Sequence, residues 1–185
     1  EPYAGLVFGM TPGQSTQMAG IQHAGVLLGM ILVGAFGARL GDKKRAWMRQ
    51  WTIAGCVGSA LALAALACSA LVGPAWPLQP TVFVLGFANG VFAVSAIGSM
   101  MGLAGEGRSS REGVRMGVWG AAQAIAFACG GFAGAAGVDA LRVLLPETSS
   151  AFLIVFSFEA ALFVCAAVLA ARLDLNVLGI QTWQL

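Results

Sequence analysis

Charge is what this sequence has least of: ten Lys and Arg and eight Asp and Glu make up 10% of 185 residues, where soluble domains carry about 25%. So few charges cannot cover the exterior of a water-soluble fold of this size. A net charge of +2 with scattered basic residues also excludes a nucleic-acid footprint, which needs a basic face. The four cysteines, Cys56, Cys68, Cys129 and Cys165, fall inside apolar runs without a CxxC or zinc spacing. They read as small buried hydrophobes and exclude a disulfide framework. From Glu1 onward there is no basic stretch leading into an apolar core and a small-residue cleavage site, so no signal peptide is expected, and the chain reads as a piece of something longer.

What the sequence has in abundance is apolar surface: 58% of residues are hydrophobic, with a mean hydropathy of +0.83. Crossing about 30 Å of hydrocarbon takes about 20 apolar residues. Five stretches reach that length with no charge among them but Glu159, at 17–38, 51–72, 81–104, 116–138 and 150–171. The fold class expected is therefore an all-α membrane protein of about five transmembrane helices in a single helical domain. Pro74, Pro77 and Pro80 break the run between the second and third stretches into a helical hairpin, because proline lacks the N–H that a helix interior requires. The opening, apolar to Met10 and then turn-rich through Thr11 to Ser15, reads as the tail of a preceding span.

Orientation follows from Lys and Arg in short loops. Arg39, Lys43, Lys44, Arg45 and Arg49 lie in the first loop, Arg108, Arg111 and Arg115 in the third, and Arg172 follows the last span. Arg142 alone lies on the other side. This bias places segments 39–49 and 105–115 in the cytoplasm, and 73–80 and 139–149 outside it. The N-terminus is then periplasmic and the C-terminus cytoplasmic. Trp76 at one boundary and Trp47 and Trp51 at the other suit an interfacial aromatic belt.

Glycines at four-residue spacing, Gly25 and Gly29, Gly86 and Gly90, Gly113 and Gly117, Gly130 and Gly134, put pairs without a Cβ on one helix face. Such faces let backbones approach closely in lipid, and a flat face also accepts a planar ligand. His23 is the only histidine, flanked by Ala19, Gly20, Ala24 and Gly25. A neutral imidazole beside small residues permits axial ligation of a magnesium tetrapyrrole; hydrogen bonding to Gln22, Gln17 or a neighbouring helix is the alternative. Glu159 lies near the middle of the last span, where an ionised carboxylate costs about 2.5–3.5 kcal/mol. It is expected to face protein, either packing with Gln123 or Asn89 as hydrogen-bond partners or serving a ligand or proton path.

The stretch Gly34 to Arg45 resembles the loop motif of the major facilitator superfamily, with Ala38 where that motif carries an aspartate. Three further segments are Glu1-Pro2-Tyr3 through Met10, Asn89-Gly90-Val91-Phe92-Ala93-Val94, and Gly117-Val118-Trp119-Gly120-Ala121-Ala122-Gln123-Ala124. In this order they resemble the second half of the PucC/LhaA family, the bacteriochlorophyll-delivery branch of that superfamily. The resemblance implies that the five spans correspond to helices eight to twelve of a major facilitator fold, and that bacteriochlorophyll is the ligand. It also implies a photosynthetic bacterial inner membrane and light-harvesting or reaction-centre subunits as partners, along with lipid and the chain's own N-terminal half. His23 is then the magnesium-ligand candidate, and Ala19, Gly20, Glu159, Gln123 and Asn89 the pigment- or substrate-facing ones.

Two functions from different classes stay open at this point. One is a non-enzymatic assembly factor that holds or hands over pigment. The other is half of a transporter that moves a small solute through a cavity shared with a second half. A pigment-modifying prenyltransferase would need carboxylate clusters for diphosphate-bound magnesium, and no span or loop holds paired aspartates. No enzymatic activity is expected.

Overall fold

The computed structural model describes residues 2–37, 44–105 and 112–181. The core of the basic loop motif at 38–43, and Arg108 and Arg111, lie outside them. Among the described residues six α-helices follow one another: α1 (Pro2–Phe8), α2 (Pro12–Gly37), α3 (Lys44–Val72), α4 (Leu78–Gly105), α5 (Glu112–Leu144) and α6 (Thr148–Gln181), with a 3₁₀ turn at Gly73–Ala75 between α3 and α4. No strand occurs among the described residues. Helices α2 to α6 are each long and apolar enough to cross a membrane, as an all-α membrane protein requires. At 1.5 Å per residue even α2, with 26 residues, is about 39 Å long.

Local chemistry sets the helix ends. The Thr11 backbone N–H donates to Gln14 Oε1 at 2.9 Å, and the Gln14 N–H donates back to Thr11 Oγ1 at 3.4 Å. This is a reciprocal capping box, with Pro12 at the first helical position, where its missing N–H costs nothing. The Thr11–Ser15 stretch, expected to be turn-rich, therefore starts α2, and His23 lies three turns inside it. Glycines in the left-handed region end α1 (Gly9, φ 65°) and follow α3 (Gly73, φ 70°), a conformation other residues adopt only at a cost. At the start of α4 the Trp76 indole N–H donates to Thr81 Oγ1 at 3.0 Å.

Helix α3 is central: it packs along α4 on one side and α6 on the other, and α4 carries α2 on its far side. The α2–α4 seam is made of glycine. A Cβ on Gly25 would overlap the Phe83 carbonyl oxygen and lie 2.9 Å from the Phe87 nitrogen, and one on Gly29 would lie 2.9 Å from the Val91 nitrogen. Reciprocally, Cβ atoms on Gly86 and Gly90 would lie 2.9 Å from the carbonyl carbons of Gln22 and Val26. Two flat faces thus interlock backbone to backbone, the contact that holds helices together where the solvent is as apolar as the side chains. The α3–α4 seam works similarly: a Cβ at Gly55 would meet the Phe92 nitrogen at 2.7 Å and one at Gly58 the Ala88 Cβ at 3.1 Å.

Helix α5 behaves differently. None of its residues is buried, and it touches α6 and α4 only sparingly. A Cβ on Gly113, Gly117, Gly120, Gly130 or Gly131 would meet nothing within 4 Å. Two of the four glycine pairs therefore cement the bundle, while the two on α5 face outward or border α6 loosely.

Candidate functional site

The six candidate residues fall in four separate places. His23 lies on the exposed side of α2. Two residues further on, a turn of about 200°, Gly25 meets α4, so the imidazole points away from the glycine seam. His23 Nδ1 lies 2.7 Å from the Ala19 carbonyl oxygen. Because a carbonyl only accepts, the proton belongs on Nδ1, and in the neutral imidazole the lone pair is then on Nε2. Metal-binding imidazoles are commonly held in this way, one nitrogen donating to a carbonyl while the other ligates. The surroundings are open: Gly20 is exposed with nothing within 4 Å of a Cβ placed on it. Leu27 (59% exposed) and Ile31 (55%) continue the same face as an uncovered apolar strip. The helix neighbours proposed as alternatives, Gln17 and Gln22, are not the hydrogen-bond partner. The partner is the helix's own backbone.

Asn89 sits at the α3–α4 seam, where its Oδ1 accepts a 2.8 Å hydrogen bond from the fully buried Ser59 hydroxyl. An unmade bond there would cost about 1–3 kcal/mol, so Asn89 has a packing duty whatever else it does. Glu159 lies at the α5–α6 border, half-buried, with Oε1 3.4 Å from the Cβ position of Gly134. The absence of a side chain at Gly134 makes room for the carboxyl. Gln123 is also on α5 and half-buried, but eleven residues before Gly134, about 16 Å along the helix. Glu159 is thus placed beside neither of the two hydrogen-bond partners that the sequence suggested.

One polar cluster escaped the sequence reading. The hydroxyl of Tyr3, the chain's single tyrosine, is hydrogen-bonded with the Ser69 hydroxyl and donates to the Leu66 carbonyl at 3.3 Å. Its ring packs edge-on against Phe8, Phe152 and Phe156 at centroid distances of 5.5, 5.0 and 4.9 Å. This pins α1 between α3 and α6. The available signal was a lone tyrosine in an apolar run, since a buried phenol almost always has a partner.

Among the described residues no three or more His, Cys, Asp or Glu side chains come together as a metal site. A tetrapyrrole that brings its own magnesium needs only one protein ligand, and the Nε2 of His23, on an open face lined by Ala19 and Gly20, fits that requirement.

No solved structure matches the chain. Among curated proteins it is 54% identical over 171 residues to the bacteriochlorophyll synthase 44.5 kDa chain of Rhodobacter capsulatus, covering 92% of this chain and 39% of that one. It is 30% identical over 182 residues to protein PucC of Rhodobacter capsulatus, covering 94% of this chain and 37% of the relative. The chain therefore spans well under half the length of these relatives. The family model described as PUCC protein matches residues 1–177, nearly the whole sequence, and with five helices fit to cross a bilayer this integral membrane protein belongs to the PucC family.

Proposed function

We propose that this chain is part of a membrane assembly factor that holds or hands over bacteriochlorophyll while docking against light-harvesting or reaction-centre helices. The observation that carries the reading is His23: its Nδ1–H is occupied by the Ala19 carbonyl, and its Nε2 is left with a lone pair on an exposed face. His23 would supply an axial ligand to the pigment's magnesium, Ala19 and Gly20 would leave the space for the macrocycle, and Leu27 and Ile31 would cover its apolar edge. The bound pigment would contribute the absorbing macrocycle; the protein would contribute position and exclusion of water.

The partners enter through α5. A 33-residue helix with no buried residue has its glycine-rich surface free for other transmembrane helices, those of the light-harvesting or reaction-centre subunits or of the remaining part of a longer chain. Glu159, beside Gly134 at the edge of this surface, would offer a hydrogen bond to whatever packs there. The word synthase in one relative's name raises a catalytic alternative. What supports the non-enzymatic reading is that diphosphate chemistry asks for clustered carboxylates on magnesium, whereas Glu159, Asp139 and Glu147 lie on different turns or at different depths. A solute path would want polar groups converging at mid-membrane, and Asn89 is instead engaged with Ser59.

The test is spectroscopic. The full-length protein, purified in mild detergent with its co-purifying partners, should carry a near-infrared absorption band. His23→Leu deletes the ligand but keeps an apolar side chain at an exposed site, so the band should be lost or shifted while the protein elutes unchanged on size exclusion. An identical spectrum and pigment stoichiometry in that variant would refute the assignment.

A further inference from the structure

A cavity of about 390 Å³ opens at one end of the bundle, where α1, the end of α3 and the start of α6 meet. Its size falls within the range of about 300–1,000 Å³ common for small-molecule sites. One wall is apolar, formed by Leu6, Leu71 and Val72 among others, and the other is polar, formed by Glu147, Thr148 and Ser149. The apolar wall is uncovered, with Leu71 73% exposed, Val72 52% and Leu6 48%. The cavity is lined by Gly73 of the α3–α4 turn and by Glu147 of the α5–α6 connection, the two connections that the hydropathy pattern puts at one membrane boundary, where headgroups meet acyl chains.

We infer that this cavity binds a phospholipid carrying a primary ammonium headgroup. The two walls divide the possible ligands. A small water-soluble molecule would leave Leu71 and Val72 facing hydrocarbon as they already do, and a bare acyl chain would leave three polar side chains unused. A phospholipid uses both walls. The sign of the headgroup follows from Glu147, the single ionisable residue of the lining, which favours a cation and disfavours an anionic lipid. The nearest base in sequence, Arg142, is directed at Asp139 instead, at 3.9 Å. No side-chain hydrogen bond or ion pair occupies Glu147, Thr148 or Ser149 among the described residues. Glu147 takes part only through its backbone carbonyl, which accepts from the Ser150 N–H at 3.2 Å. A primary ammonium offers Glu147 three N–H donors, whereas a quaternary choline offers none. The Thr148 and Ser149 hydroxyls, in the same wall, can donate to the phosphate, the stronger kind of hydrogen bond because its acceptor is ionised.

Native mass spectrometry tests this on the delipidated full-length protein, given equal amounts of phosphatidylethanolamine and phosphatidylcholine with the same acyl chains. Retention of phosphatidylethanolamine over phosphatidylcholine should be about threefold, the discrimination that a partly exposed ion pair supports. In Glu147→Gln the ratio should fall to about one. In Asp139→Asn, which removes a neighbouring acid outside the lining, it should persist. Leu71→Trp, which fills the apolar side, should reduce retention of both lipids. A ratio near one in the unmodified protein, an unchanged ratio in Glu147→Gln, an equal loss in Asp139→Asn, undiminished retention in Leu71→Trp, or stronger retention of phosphatidylglycerol would each overturn the assignment.

Discussion

Gly86→Ala probes the contact on which the bundle depends most. The added methyl would overlap the Gln22 carbonyl oxygen and sit 2.9 Å from its carbon, against about 3.5–4.0 Å for an unstrained contact. Both partners are backbone, so no side chain can swing aside, and α2 and α4 must separate by roughly 1 Å. A gap of that size forfeits about a quarter to a half of each dispersion contact along the seam, and overpacking of this kind costs about 1–3 kcal/mol. Gly117→Ala on α5 introduces the same methyl with nothing within 4 Å. Its effect should be neutral, or stabilising by up to about 1 kcal/mol through helix propensity. Because both changes are glycine to alanine, their difference isolates the interhelical contact. Unfolding of each variant in mixed micelles, followed by tryptophan fluorescence, reads that difference directly. Gly25→Ala combined with Gly86→Ala should cost less than the sum, since one separation relieves both overlaps. Equal stability of Gly86→Ala and Gly117→Ala would refute the interlocked seam.

Cysteines introduced at Gln79 and Lys44 should react with an impermeant reagent from opposite sides of the membrane; labelling from the same side would overturn the positive-inside orientation. Asn89→Ala should destabilise by about 0.6–1.7 kcal/mol in detergent unfolding, and Ser59→Ala should abolish most of the additional loss in a double-mutant cycle, because the two share one hydrogen bond. Tyr3→Phe should cost about 0.5–1.5 kcal/mol, with the aromatic packing of the ring retained. Glu159→Gln should insert and fold normally, while Glu159→Leu should lower the yield of assembled pigment complex; equal yields would leave the carboxyl without a part in assembly.

Local signals made much of this fold legible. Hydropathy alone indicated five helices long and apolar enough to span a membrane, because backbone groups in lipid must satisfy one another and an apolar run of that length has no stable alternative to helix. Thr11 and Gln14 carried a capping signature at the spacing that a capping box requires, and reading them as a turn left the first span starting at residue 17, five residues after α2 begins at Pro12. What stayed hidden was long-range. Gly25 and Gly29 have the same spacing as Gly113 and Gly117, yet the first pair lies on the backbone of α4 and the second faces open space. Spacing specifies a flat face; it does not specify whether a partner helix arrives. The same holds for Glu159, whose membrane cost predicts a protein-facing carboxyl without saying that Gly134 would be its neighbour.

The burial pattern explains why polar residues are the better guides in such a chain. Phe132 is 77% exposed in the middle of α5, whereas Ser59 and Ser95 are completely buried. In water this order would be reversed, since burying a phenyl ring drives folding. In lipid the ring gains nothing by moving inward, and the hydroxyl gains a partner: Ser59 finds Asn89 at 2.8 Å, and Ser95 its own helix carbonyl of Val91 at 2.7 Å. Apolarity therefore reports that a segment is in the membrane, while small and polar side chains report which way it faces. By that criterion Ser59, Ser95, Asn89 and Tyr3 point inward and are satisfied there. His23 stands apart: its backbone bond to Ala19 satisfies one nitrogen, and the other lies on a face that none of the described helices covers, where packing gives no reason for a polar atom.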